Sequence, residues 1–301
     1  MPLPMSASAT ASLAAPAAPP SSAARRTRAL AAALLELGLQ KGERVATLCW
    51  NHHAHLDAYF GIPAAGGVMH TLNLRLSPEE IGWIAGDAED RFLVIDDVLL
   101  PLYQQFAHLH QFEKVIVFPF SGAPVPAGFT DYEALLAAAN PDAFHYVPHD
   151  ENDPVSMCYT SGTTGRPKGV FRPNPEVTPH AMYAMRGYDH ATSVQMCAGP
   201  AYHAAPLAFD VRAAMGAGVP LVFIDKWDSE LVLRTIAEKK VTHFHLVPIM
   251  FQRLLALPEA VKAKYDVSHV RFIIHGAAPC PPEVKMAMID WFGPVLVEYY
   301  A

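Results

Sequence analysis

Residues 155–170 read Val155-Ser156-Met157-Cys158-Tyr159-Thr160-Ser161-Gly162-Thr163-Thr164-Gly165-Arg166-Pro167-Lys168-Gly169-Val170. The first six form a strand-like apolar run. The remainder is a loop sequence in which glycines permit sharp turns and bring backbone N–H groups close to a ligand. Thr160, Ser161, Thr163 and Thr164 add hydroxyl donors, Lys168 adds a positive charge, and Pro167 restrains the chain just before it. Converging N–H, O–H and ammonium donors suit a cluster of polyphosphate oxygens. The order differs from the P-loop pattern, because Pro167 stands where that pattern needs its second glycine and Gly169 follows the lysine. A kinase or GTPase of the P-loop type is therefore disfavoured, and a plain Ser/Gly/Thr surface loop is the bland alternative.

Outward from this loop, apolar strand-like runs alternate with helical patterns. A helix over 25–37 ends at Gly38, and a buried strand comes next at 44–50. Further strands are expected at 92–95, 115–118, 155–160, 194–197, 219–224, 241–247, 270–274 and 295–299. Helices are expected at 77–85, 132–139, 229–239 and 282–291, the first opening with the capping box Ser77-Pro78-Glu79-Glu80. Such alternation predicts an α/β fold with two mainly parallel, helix-covered sheets. The Pro-rich, polar stretch 146–154 reads as the best internal boundary. Residues 1–24, nearly all Ala, Ser, Pro and Thr, read as a disordered tail.

Composition narrows the class. Hydrophobic residues make up 51% and charged residues 17%, which supports a packed core. A net charge of −7, with no basic run beyond Arg25, Arg26 and Arg28, gives no sign of nucleic-acid binding. Cys49, Cys158, Cys197 and Cys280 lie far apart without a CxxC pair, which fits free thiols in a reducing, cytoplasmic setting. No apolar stretch is long enough to span a bilayer, and peripheral membrane contact stays open.

The segment YTSGTTGRPKGV resembles the signature of the adenylate-forming superfamily, which includes acyl-CoA synthetases, aryl-CoA ligases, luciferases and peptide-synthetase adenylation domains. The resemblance covers 25–301 and implies part of the large N-terminal domain of the acyl-CoA synthetase-like fold. It implies that Thr160, Ser161, Gly162, Thr163, Thr164, Gly165 and Lys168 hold ATP phosphates while a carboxylate attacks the α-phosphate. Pyrophosphate then leaves, and the acyl-adenylate passes its acyl group to CoA. The expected reaction is that of an AMP-forming carboxylic acid–CoA ligase acting on a fatty acid. A non-catalytic nucleotide-binding fragment, or an adenylation module loading a carrier protein, are the alternatives.

Three further segments match the family in order. In Gly199-Pro200-Ala201-Tyr202-His203-Ala204-Ala205-Pro206-Leu207, the resemblance makes His203 the histidine that orients the carboxylate and α-phosphate; a structural histidine is the plainer reading. His275-Gly276-Ala277-Ala278-Pro279-Cys280 looks like the turn that walls the adenine and acyl pocket, so Gly276, Ala277, Ala278 and Pro279 become nucleotide-site residues. A simple strand-to-helix turn would use the same residues. In VLVEYYA, Tyr300 would stack on adenine. The family's subsequent Thr and Glu, the latter a Mg²⁺ ligand, and its C-terminal lid domain are not found in these residues, so activity of a chain of this extent is in question. His243 and His245 share one strand face, but no third ligand accompanies them, and no metal site is expected. The cluster Asn51-His52-His53-Ala54-His55 reads as helix capping or a solvated face.

Overall fold

The structure is a computed structural model describing residues 20–160, 166–173 and 185–300. Helix α1 (Pro20–Glu36) begins before the expected Arg25, so residues 20–24 are helical rather than part of a disordered tail. Pro20 sits at the first helical position, where its missing N–H costs nothing, and Ala23 and Ala24 are strong helix formers. The remainder of the expected tail lies outside the described residues. Gly38 ends the turn after α1 at φ +87, as its position suggested.

The chain then runs β1 (Arg44–Leu48), α2 (His53–Ala64), β2 (Val68–Thr71), α3 (Pro78–Asp87), β3 (Asp90–Asp96), α4 (Leu100–Phe106), β4 (Lys114–Phe118), β5 (Thr130–Asp131), α5 (Tyr132–Ala138), β6 (Pro154–Thr160) and β7 (Lys168–Pro173). These strands form one sheet in the order β5-β4-β3-β1-β2-β6-β7. All neighbours are parallel except β6 and β7, which pair antiparallel. The second sheet is built from β8 (Gln195–Cys197), a helix α6 over 204–217, β9 (Leu221–Phe223), α7 (Ser229–Lys239), β10 (His243–Leu246), α8 (Pro248–Leu255), α9 (Glu259–Lys262), β11 (Phe272–His275), α10 (Pro282–Phe292) and β12 (Leu296–Glu298). Its order is β12-β11-β10-β8-β9, all parallel.

The expected α/β class with two mainly parallel sheets is therefore observed. The change of sheet falls between Pro173 and Gln195, not at 146–154, because β6 and β7 complete the first sheet. The Pro-rich stretch is instead a surface crossover. It is pinned to the end of α2 by Val147 N–H donating to the Ala64 carbonyl at 3.1 Å. The capping box of α3 forms as read: Ser77 Oγ accepts from Glu80 N–H at 3.2 Å, and Glu80 returns a carboxylate to Ser77 N–H at 3.0 Å.

Strands buried on both faces need helices on both sides. Leu30, Leu34, Ile62 and Tyr132 cover one face of the first sheet, and Ile81, Ile84 and Phe106 the other. In the second sheet Ile236, Phe251 and Met288 pack around Phe244 and Ile273.

Candidate active site

In a parallel sheet every strand ends on the same edge, and ligands gather outside the carboxyl ends. The predicted segments obey that rule. Strand β6 leaves the first sheet at Thr160, which pairs with Lys168 at the start of β7. The phosphate-loop sequence thus spans a β-hairpin, and Lys168 is the first strand residue of its second arm. Thr160 and Lys168 are both exposed. Ser161, Gly162, Thr163, Thr164 and Gly165 lie outside the described residues. Both ends of this segment are fastened to α3. Tyr159 donates its hydroxyl to Asp87 at 2.5 Å, and the Arg166 guanidinium lies 5.3 Å from the centre of the Trp83 ring. A Cβ at Gly169 would stand 2.9 Å from Met157 Cε and 3.2 Å from the Tyr159 ring, so a larger residue there would displace these side chains.

The second segment leaves β8 and turns at 199–203. His203 N–H donates to the Pro200 carbonyl at 3.0 Å, and His203 then caps α6 by position, its side chain taking no capping bond. The middle of α6, Leu207–Arg212, is a π-helical turn, a distortion frequent at functional sites. The imidazole of His203 is open to solvent and packs on Tyr202 with ring centres 4.7 Å apart. Surrounding protein, and then the nearby Arg75 guanidinium, lower its pKa. A neutral imidazole near pH 7 can donate or accept a hydrogen bond at a carboxylate or phosphate. Arg75, exposed on the loop after β2, belongs to no motif that marks it in the sequence. It has no carboxylate partner among the described residues and adds a fixed positive charge beside His203.

Asn51 and Thr71 join the two sheets at this point. Asn51, 5% exposed, donates through Nδ2 to the carbonyls of Gly199 (2.7 Å) and Ile224 (3.0 Å) and accepts from Ala201 N–H at 2.8 Å. Thr71 donates its hydroxyl to the Tyr202 carbonyl at 3.0 Å. The carboxyl edge of the first sheet therefore meets that of the second at the His203 turn. β6 is the next strand after β2, so Thr160, paired with Lys168, ends on the same carboxyl edge one strand from Thr71.

In the cluster around Asn51, His52 takes the N-cap position of α2 without a side-chain capping bond and His53 is exposed, whereas Asn51 and His55 are buried against the expectation. His55 is 2% exposed with Nε2 3.3 Å from Thr47 Oγ1. His52 Nε2 lies 2.8 Å from Asp96 Oδ1. Cys49, His52 and Asp96 offer ligand atoms within 4.8 Å of one another. Most of their polar atoms are already engaged: Trp50 N–H donates to Asp96 Oδ2 at 2.8 Å, and Cys49 Sγ approaches the Val94 carbonyl at 3.6 Å. Burial of these side chains comes from contacts with the second sheet and β3, which no local pattern announces.

The third and fourth segments leave β11 and β12, which are neighbours. Gly276 is buried, whereas Ala277, Ala278 and Pro279 are exposed. The space a side chain would fill at Gly276 is taken by Tyr299, whose Cε1 lies 2.6 Å from an ideal Cβ. The missing side chain thus admits Tyr299 against the Gly276 backbone. Ala277 adopts φ +66, a left-handed conformation uncommon outside glycine. Tyr300 is fully exposed and Tyr299 packs on Phe209 at 4.6 Å. His243 and His245 do share a face: His243 stacks on Tyr188, and His245 stacks on Phe209 of α6. Asp210, fully buried, accepts from Gln195 Nε2 at 2.7 Å and His245 N–H at 2.9 Å, and burial raises its pKa.

Residues 21–301 match the AMP-binding enzyme family. A 3-methylmercaptopropionyl-CoA ligase of Ruegeria pomeroyi is 33% identical over 278 residues, which are 90% of this chain and 51% of that protein. A medium-chain-fatty-acid–CoA ligase of Ectopseudomonas oleovorans is 32% identical over 280 residues, 89% of this chain and 50% of that one. The crystal structure of ATP-bound MatB from Rhodopseudomonas palustris superposes with a TM-score of 0.75 at 25% identity, covering 93% of this chain and 54% of that one. The chain spans about half the length of the curated relatives it matches.

Proposed function

This chain belongs to the AMP-binding enzyme family, and from that premise we propose that it takes part in ATP-dependent activation of a carboxylic acid and its transfer to CoA. The observation that carries this reading is the carboxyl edge of the first sheet, which carries Thr160 paired with Lys168 and, through Asn51 and Thr71, meets the His203 turn of the second sheet. A triphosphate lying against the segment from Thr160 to Lys168 meets hydroxyl, N–H and ammonium donors. A carboxylate oxygen attacks the α-phosphorus, the bond to the bridging oxygen breaks, and pyrophosphate leaves. His203 and Arg75 are positioned to hold the carboxylate and the α-phosphate during attack. In the second step the CoA sulfur attacks the acyl carbonyl and AMP departs. Gly276, Ala277, Ala278, Pro279 and Tyr300 form the proposed adenine wall, with the exposed Tyr300 ring available for stacking. Mg²⁺ enters as the counter-ion of the triphosphate, and no residue of this chain is assigned to it.

The relatives include ligases named for fatty, thioether and aromatic acids. A fatty acid is the proposed substrate within this range, on the resemblance of the 199–207 and 275–280 segments to fatty-acyl-CoA synthetases. Pyrophosphate release should be measured with ATP, Mg²⁺ and acids from butyrate to palmitate, with cinnamates alongside, with and without CoA. The expected result is acid-dependent release that CoA accelerates, with alkanoates preferred. By titration calorimetry, Lys168→Ala should weaken ATP binding by about 1.5–3 kcal/mol, a charge-assisted contact's usual worth. ATP binding without release would favour a nucleotide-binding role, and release indifferent to CoA would favour loading of a carrier protein. No binding of ATP at all would defeat the reading.

A further inference from the structure

We propose that Asn51 and Thr71 are positioning residues that hold the His203 imidazole toward the phosphate-binding edge. This rests on the activation reading only for its functional consequence.

No side-chain hydrogen bond to the His203 imidazole is present among the described residues, and its ring contact is with its own neighbour Tyr202. Its orientation therefore depends on the backbone of 199–203. That backbone is held from the other sheet at Gly199 O and Ala201 N–H by Asn51 and at Tyr202 O by Thr71. The third Asn51 bond, to Ile224 O, ties the end of β9 into the same grip. Asn51 is suited to this task by chemistry. Its amide supplies two donors and an acceptor from a single buried group, and all three are used. A carboxylate in its place would present oxygen to two carbonyl oxygens. Thr71 contributes one hydroxyl from the next strand, so the turn is gripped on both sides of Ala201.

Among the described residues, the charged and titratable groups facing His203 are Arg75 and Tyr202. If the grip is released, the imidazole is free to leave the Tyr202 ring and the Arg75 guanidinium. Its pKa then rises toward the ordinary value of about 6.5. A general loss of stability would instead disturb the buried His243 and His245 together with it.

The test is an NMR pH titration of the histidine rings, with His203 assigned by its loss in His203→Gln. The variants are Asn51→Ala, Thr71→Val, which keeps shape but removes the hydroxyl, and Thr71→Ser, which restores it. The expected result is an upward move of the His203 titration in Asn51→Ala and Thr71→Val, with His243 and His245 unmoved and Thr71→Ser matching the unaltered protein. An unchanged His203 titration in both Thr71→Val and Asn51→Ala overturns the proposal. Should Asn51→Ala fail to fold, the Thr71 pair decides alone. A pyrophosphate assay separates the two claims. If the titration moves while His203→Gln releases pyrophosphate at the full rate, the positioning role stands and the activation role of His203 falls.

Discussion

A single missing side chain at Gly276 sets the geometry after β11. An ideal Cβ there would stand 2.7 Å from the Tyr299 carbonyl as well as 2.6 Å from its ring. Backbone does not yield as a flexible side chain does. Gly276→Ala should push Tyr299 away from His275, whose carbonyl accepts the Tyr299 N–H at 3.0 Å. The expected cost is about 1–3 kcal/mol, as for other overpacked sites. Urea unfolding should show it, and nucleotide affinity measured by calorimetry should fall in parallel because Tyr300 shifts too. Unaltered stability and affinity would show that the close approach of Tyr299 does not matter. The order Gly-Ala-Ala-Pro was legible in sequence. That its first residue accommodates a tyrosine from the neighbouring strand was not, because the contact is created by parallel pairing of β11 and β12.

Among elements, strands with strong apolar patterns were found within a few residues of their observed ends, β3 and β11 among them. Three were missed for distinct reasons. β2, Val68–Thr71, is short and comes after two glycines, so no alternation marks it. β5 has only two residues. β7 was hidden because Lys168 and Gly169 looked like loop, and its strand character comes from pairing with β6. Helix α3 was read correctly from its cap, but its second role, clamping the hairpin through Trp83 and Asp87, is tertiary. Trp83→Leu keeps an apolar side chain and removes the ring beneath Arg166. An exposed cation–π contact is worth about 0.5–1 kcal/mol, so ATP should bind roughly two- to fivefold more weakly with the thermal midpoint nearly unchanged. Titration calorimetry beside thermal melts checks this, and equal affinity would release α3 from that role.

For the whole molecule, the two sheets share a vulnerability to acid. Burial holds His55 of the first sheet down to about 3 and His243 and His245 of the second down to about 4. Their folded pKa values lie below the unfolded value of about 6.5, so the unfolded chain takes up protons first as pH falls. Their stabilising contribution is complete above pH 6.5 and drains away from 6.5 down to the folded values. Each imidazole removes at most about 1.4 kcal/mol per pH unit in that window. Urea midpoints should hold from pH 8 to 6.5 and fall steeply toward pH 4; a level profile down to pH 5 would contradict the burial of these rings. The pairing of Thr160 with Lys168 carries a consequence of another kind. Zipped arms impose parity. Adding one residue between them without altering the register forces the extra atoms to bulge outward, while letting the second arm slide by one sends the lysine ammonium to the opposite side of the sheet. Register between the arms, then, decides which face of the sheet carries the charge.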